Sequence, residues 1–262
     1  MTLEIIELKQ IKIVSGWSDP GGSTVHFIEL CNLLNNNGLD CTFYGPHNWH
    51  LDKCKSGTLD DASLVKDDIL ISHFINIKVP VEKHILSCHE TNIFPLKEKD
   101  LQSYDIIHFV SNPQKKWHSV NHPSIIIPPV VNKIKWKDPD NNVAGVIGNI
   151  DNHKQVHLSI KRAIEDGFNK VLLFGNNNDP EYYNQGIMPW VSRHNVVPCG
   201  HEDDREKMYS QISAVYHSSK RETYGLVEAE CKLAGIPFNG PKNNQEVLEK
   251  EEILDRWKKV LQ

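Results

Sequence analysis

The stretch SSKRETYGLVEAECKLAGIPF, residues 218–238, decides how the rest of the chain is read. It passes from a polar loop through a tyrosine–glycine turn into a small-residue apolar segment that stops at Gly235 and Pro237. The pattern predicts a helix over 222–234. Glu222 stands before the turn and Glu230 follows eight residues later. Carboxylates are among the residues least often buried. On one continuous helix, eight positions turn by about 80° net and rise ~12 Å, so the two would not meet at one ligand atom. With Glu222 in the preceding loop, both can address a long ligand from different directions. The first free amides, near Gly225 and Leu226, then form an anion site with the helix dipole behind it. Two readings stand side by side. In one, Glu222 caps the helix and Glu230 is solvated. In the other, the segment is acceptor, phosphate cradle and acceptor, which suits a sugar, a diphosphate and a ribose in a row.

Working outward, the same alternation of short apolar runs and amphipathic segments recurs twice. IKIVSG (11–16) is a β-branched strand ending in glycine. The loop WSDPGGS leads into a helix over 23–37, with Val25, Ile28, Cys31 and Leu34 on one stripe. Ser23 or Thr24 is expected to cap its start and Gly38 to end it. Strands are expected at 41–46, 67–74, 84–90 and 104–111, and PSIIIPPVV closes this half. NKIKWKDPDNN (132–142) reads as a polar linker. The pattern then restarts: strand 143–149, helix 153–167, strand 169–175, strand 194–200, helix 205–213 and strand 214–219. A charged amphipathic helix lies in the tail, 244–262. Two blocks of alternating strand and helix predict two parallel-sheet α/β domains, 1–133 and 134–262. Ligands in such sheets lie beyond the carboxyl ends of the strands, and a cleft between two such domains is the expected binding place.

Composition narrows the function. Of 262 residues, 39% are hydrophobic and 24% charged, as in ordinary soluble domains. A net charge of −5 argues against whole-surface attraction to nucleic acid or anionic membrane. DNA remains a possible partner only through a local strip such as Lys115, Lys116, Lys133, Lys135 and Lys137. No apolar run reaches the ~18 residues of a membrane span, and the N-terminus lacks the form of an export signal. The six cysteines form no CxxC pair, so reduced thiols and a cytoplasmic location are expected. The 14 histidines are scattered without HExxH, so no metal site is expected.

The block around the two glutamates resembles the signature of retaining GT-B glycosyltransferases, especially family 4. There, two glutamates separated by seven residues flank a short glycine turn before a small-residue helix and G-x-P. Glu222 and Glu230 match the pair. Tyr224 and Gly225 match the turn, with Thr223 and Leu226 beside them as further donor-binding candidates, and Gly235 and Pro237 match the end. The resemblance implies that Glu222 meets the donor sugar, or offsets charge at the anomeric centre, while Glu230 accepts from the nucleotide ribose. GVIGNIDNHKQVHLSIKRAI (145–164) is similar to the start of the family's second domain. Lys154 matches the lysine that neutralises the leaving diphosphate. Asn149 occupies the place of the usual arginine, for which Lys220 or Arg221 would have to compensate.

The resemblance extends to DPGGSTVHF (19–27), where Gly21 and Gly22 match the glycines that let backbone approach the diphosphate and acceptor. HILSCHETN (84–92) is similar to the strand that delivers a histidine near the transferred sugar, which points to His89, with His73 as second choice. VVPCGH (196–201) matches the loop against the base, which implicates Pro198, Cys199 and Gly200. The implied fold is GT-B, two Rossmann-like domains facing a cleft, with the final helix packing back on the first domain. The implied activity is metal-independent hexosyl transfer, with retention, from a UDP- or GDP-sugar to a hydroxyl of a glycan, a lipid-linked sugar or a modified DNA base. The donor is the substrate and no other cofactor is implied. A nucleotide-sugar epimerase and a degenerate, non-catalytic nucleotide-sugar-binding domain are the alternatives.

Overall fold

The computed structural model describes residues 9–66, 68–73, 79–91, 95–193, 195–243 and 245–262. The ends of two expected strands, at Asp67, Phe74 and His194, lie outside the described residues, as does Asn244. The chain divides into two units, Met1–Val130 with Glu246–Gln262, and Val131–Gln245.

The first unit is built on β1 (Ile11–Ser15), α1 (Gly22–Asn35), β2 (Cys41–Gly45), β3 (Ser56–Thr58), β4 (Ile69–His73), β5 (Lys83–Cys88), β6 (Ile106–Phe109), α2 (Asn112–His118) and β7 (Ser124–Ile126). Its seven strands form one parallel sheet in the order β3-β2-β1-β4-β5-β6-β7. The central strands are buried at every residue in β1 and β4. This is why they read as continuous β-branched runs rather than as alternating patterns. Even Lys12 is buried, its Nζ 2.8 Å from Asp68 Oδ2. Phe27, Leu30 and Leu34 of α1 pack on Ile13, Phe43 and Ile71.

The helix α1 starts one turn earlier than Ser23 or Thr24 would place it as a cap. Its N-cap is Gly21, which caps through no side chain, and Ser23 lies inside the first turn. The hydroxyl of Thr24 is buried without a hydrogen-bond partner. Gly38 takes φ +77°, the left-handed conformation that ends the helix at low steric cost.

The second unit contains β8 (Val143–Ile147), α3 (Val156–Glu165), β9 (Lys170–Phe174), α4 (Pro180–Tyr182), α5 (Met188–Arg193), β10 (Val196–Gly200), α6 (Arg205–Tyr209), β11 (Ala214–Tyr216), α7 (Leu226–Ala234) and β12 (Phe238–Asn239). A wide π turn, Tyr183–Ile187, joins α4 to α5. The sheet is parallel in the order β10-β9-β8-β11-β12. The segment before β8 carries no regular structure, yet Ile134 is buried and the Trp136 indole donates to the Ile212 carbonyl at 3.2 Å. It packs on its own unit instead of spanning solvent.

The last helix, α8 (Lys250–Leu261), belongs to the first unit. Ile253 and Trp257 are fully buried in that core, and Lys83 Nζ donates to the Val260 carbonyl at 2.7 Å. Among the described residues no helix is long and apolar enough to cross a membrane.

Candidate active site

In each sheet the strand order reverses beside the first strand, at β1/β4 and at β8/β11. Crevices beyond the carboxyl ends of such strands are where open α/β sheets hold ligands. In the second unit β8 runs into Gly148 and Asn149, and β11 runs into His217 and the loop to Glu222. The two loops are stitched together. Lys220 N donates to the His153 carbonyl at 3.1 Å, and the His153 ring donates to the Arg221 carbonyl at 2.9 Å.

This stitching brings Lys154 to Glu222. Their Nζ and Oε1 atoms are 2.6 Å apart, and His217 Nε2 meets the same carboxylate oxygen at 2.8 Å. The Lys154 backbone amide is itself held by Asp151 at 2.8 Å. Burial opposes ionisation of Glu222, but the Lys154 charge and the His217 hydrogen bond outweigh it. The carboxyl is held well below its usual range. The pair is neither sealed nor free in water, with 26% of the Lys154 side chain and 16% of the Glu222 side chain exposed.

Glu222 lies in a loop. The helix expected over 222–234 begins only at Leu226, because Gly225 takes φ +89° and interrupts it. A Cβ on Gly225 would come 2.7 Å from Asn243 Nδ2, so the position favours glycine twice over. No side chain caps α7. Glu228, in its first turn, instead accepts from the Asn243 backbone amide and side-chain amide. Tyr224 is buried, Thr223 half-buried.

Glu230 is neither solvated nor an empty acceptor. Both its oxygens take Arg205 Nη1 at 2.6 Å, and one takes the Tyr209 hydroxyl at 2.7 Å. Arg205 and Tyr209 are contributed by α6 and were not singled out by the sequence. The signal was present: REKMY places them four apart, one face of a helical turn. His217 was likewise missed, although it follows directly on a buried strand.

Three glycines line the carboxyl edge of this sheet. The Gly148 amide donates to the Phe174 carbonyl at 2.9 Å, and the Gly175 amide to the Gly200 carbonyl at 2.8 Å. A Cβ on Gly175, where φ is +154°, would come 2.0 Å from the Gly148 carbonyl oxygen, so only glycine fits this approach. Asn149 is half-buried, while Pro198, Cys199 and Gly200 are exposed on the edge strand β10. The exposed edge is separated from β8 by β9, so these residues are not gathered with Lys154 and Glu222. Lys220 and Arg221 are exposed.

In the first unit, His73, His89 and His108 come from β4, β5 with its following loop, and β6. His73 is locked: its Nδ1 meets Ser15 Oγ at 2.9 Å and its Nε2 meets Glu90 Oε1 at 2.8 Å. His89 shares Ser87 Oγ with His108, at 3.0 and 2.9 Å. His26, on α1, stacks over His108 with ring centroids 5.6 Å apart. Gly21 and Gly22, at the start of α1, are half-buried and exposed, respectively.

No protein-family model matches the sequence, and no curated protein matches it. Many solved structures share its fold. TarM aligns over 98% of this chain and 92% of its own, with a TM-score of 0.67 and 10% identity. The fold is that of the GT-B glycosyltransferases. An alpha-glucosyltransferase in complex with UDP and a mismatched DNA 13-mer aligns over 97% and 90%, with a TM-score of 0.60 and 15% identity. WaaG, a glycosyltransferase of lipopolysaccharide biosynthesis, aligns over 96% and 90%, with a TM-score of 0.58 and 10% identity. At these identities the likeness speaks to the GT-B fold.

Proposed function

We propose that this protein transfers a sugar from a nucleotide diphosphate donor to an acceptor hydroxyl with retained anomeric configuration. The observation that carries this is the Lys154–Glu222–His217 group, set beside the uncapped start of α7 at the β8/β11 switch point of a GT-B fold. The departing diphosphate is the difficult charge in this chemistry. Lys154 and the first amides of α7, near Gly225 and Leu226, supply fixed positive potential for it, which is electrostatic preorganisation. Glu222 stays ionised beside them. It balances Lys154 before the donor arrives and faces positive charge developing at the anomeric carbon. The diphosphate needs no divalent cation in this arrangement. Glu230 reaches the ribose as a composite with Arg205, whose guanidinium holds both carboxylate oxygens. UDP is the nucleotide favoured first, since an alpha-glucosyltransferase of the same fold holds it.

A screen of UDP-, GDP- and ADP-sugars by thermal shift, followed by NMR of the product's anomeric proton, tests the reading. Stabilisation by a nucleotide sugar and an axial-to-axial transfer are expected. Donor binding with an inverted product would remove the retaining mechanism. Absence of any nucleotide-sugar binding would remove the function.

A second reading has two observations behind it: Asn149 stands where the family resemblance implies arginine, and Arg205 closes both oxygens of Glu230. Both suit a domain that binds nucleotide sugar without turning it over. Donor consumption across an acceptor panel separates the two, and a donor isomer formed without acceptor would mark an epimerase.

A further inference from the structure

The histidines of the first unit are not explained by sugar transfer alone. His26, His89 and His108 each offer a ring nitrogen, and these atoms lie within 4.8 Å of one another. They come from α1, the loop after β5, and β6, positions far apart in sequence. No acidic residue stands in the group of three.

The hydrogen bonds settle where the lone pairs are. The Ile127 carbonyl only accepts, so His108 Nε2, 2.7 Å away, carries a proton. His108 Nδ1 is then a lone pair that accepts from Ser87 Oγ at 2.9 Å. Having given its single proton, Ser87 accepts from His89 Nε2 at 3.0 Å. His89 is thereby fixed in the Nε2–H form with a bare Nδ1. His26 is 1% exposed, and neither of its ring nitrogens has a hydrogen-bond partner among the described residues. Buried polar nitrogens are nearly always paired. An imidazole fully buried with two unpartnered nitrogens therefore points to a missing ligand.

The rings are also in the state that binds metal. Burial, and then the neighbouring imidazoles, hold His26 and His89 well below the usual histidine range. Burial pulls His108 down to about 4, against its hydrogen bond to Ile127. Neutral imidazole is the ligating form. The rings are braced from behind: His108 rests on Trp257 with centroids 4.8 Å apart, and His89 sits edge-on to Phe27 at 4.9 Å. The protonated nitrogen of His108 is anchored to a backbone carbonyl, the usual outer support of a histidine ligand. His73 is excluded as a fourth ligand, since Ser15 and Glu90 occupy both of its nitrogens.

We propose that His26, His89 and His108 form a three-histidine site for a divalent transition metal of the zinc class, with its fourth position open. Three imidazoles without a carboxylate select zinc, cobalt, nickel or copper over magnesium and calcium. Nitrogens bound to zinc lie ~3.3 Å apart in a tetrahedron, so binding draws the three rings inward and takes the lone pair of His108 from Ser87. The site is separate from the diphosphate chemistry, and bound metal is counted without donor or acceptor, so it stands or falls apart from the transferase reading.

The test is titration of chelator-treated full-length protein with Co(II), read by visible d–d absorption, followed by Zn(II) competition. One equivalent of tetrahedral Co(II), displaced by equimolar Zn(II) and untouched by excess Mg(II), is expected. His26→Leu should weaken binding at least 100-fold while keeping the thermal midpoint of the metal-free protein, because leucine strands no buried nitrogen. That variant guards against loss of folding in His108→Leu. No stoichiometric Co(II) or Zn(II) at micromolar protein would overturn the site. So would a His26→Leu protein that binds as tightly as the parent, since the ion would then sit on surface histidines.

Discussion

The two switch points are built on the same strand topology and carry opposite electrostatics. Beyond β8 and β11 lie full charges in pairs: Lys154 with Glu222, and nearby Arg205 with Glu230. On α1, after β5 and on β6 lie His26, His89 and His108, imidazoles held neutral by burial. Burial alone would neutralise both sets. The carboxylate of Glu222 escapes because a cation is 2.6 Å away, while His26 and His89 are flanked by further imidazoles, and like charges disfavour protonation. One fold thus carries paired full charges in one crevice and neutral imidazoles in the other.

The largest effect expected is on the charged side. Lys154→Ala removes the lysine paired with Glu222 and should lower kcat by about 10²–10³, the usual cost of one preorganised donor. It should also cost about 2 kcal/mol of stability, since a half-buried carboxylate is left with His217 alone. An unchanged rate at saturating donor would take Lys154 out of the mechanism. Next comes acid stability, where the two regions part in pH. Histidines with folded values below the unfolded one leave protons on the unfolded chain, so stability falls as pH drops below 6.5. For His108 the fall runs from 6.5 to about 4 and amounts to about 3 kcal/mol. Glu222 has the opposite history: its depressed folded value gives stability that is complete above the ordinary carboxylate range and is lost only below it. Amide exchange followed from pH 7.5 to 5 should therefore weaken the first unit and spare the second. Equal loss in both would erase the contrast.

Smaller effects sharpen the charged side. Glu230→Ala leaves Arg205 without its partner and should weaken UDP binding about tenfold, about 1.4 kcal/mol. Calorimetry that shows unchanged affinity would deny the ribose role. Gly225→Ala sets a side chain at φ +89° against Asn243 and should cost about 1–2 kcal/mol. A midpoint in urea that does not move would show that the turn relaxes.

Much of the fold was legible because parallel sheets covered on both faces write themselves as apolar runs. IKIVS, ILISH and KVLLF are such runs, and each is a strand. The glycine stops were legible too: Gly38 and Gly235 both take positive φ. The start of α1 was not, since a backbone cap at Gly21 leaves no side-chain signature. The true start of α7 was hidden for a related reason: helical periodicity continues through residues 222–225, and only the left-handed Gly225 breaks it.

The sequence alone determined the alternation of strands and helices, because that depends on local pattern, while the GT-B architecture and the Lys154 and Glu222 candidates came from the resemblance of short motifs to a family. Only the tertiary structure decided that Arg205 and Tyr209 hold Glu230. It alone gathered His26, His89 and His108. Each of those contacts joins residues far apart along the chain, and their partners are chosen by how the layers stack, which no local spacing encodes.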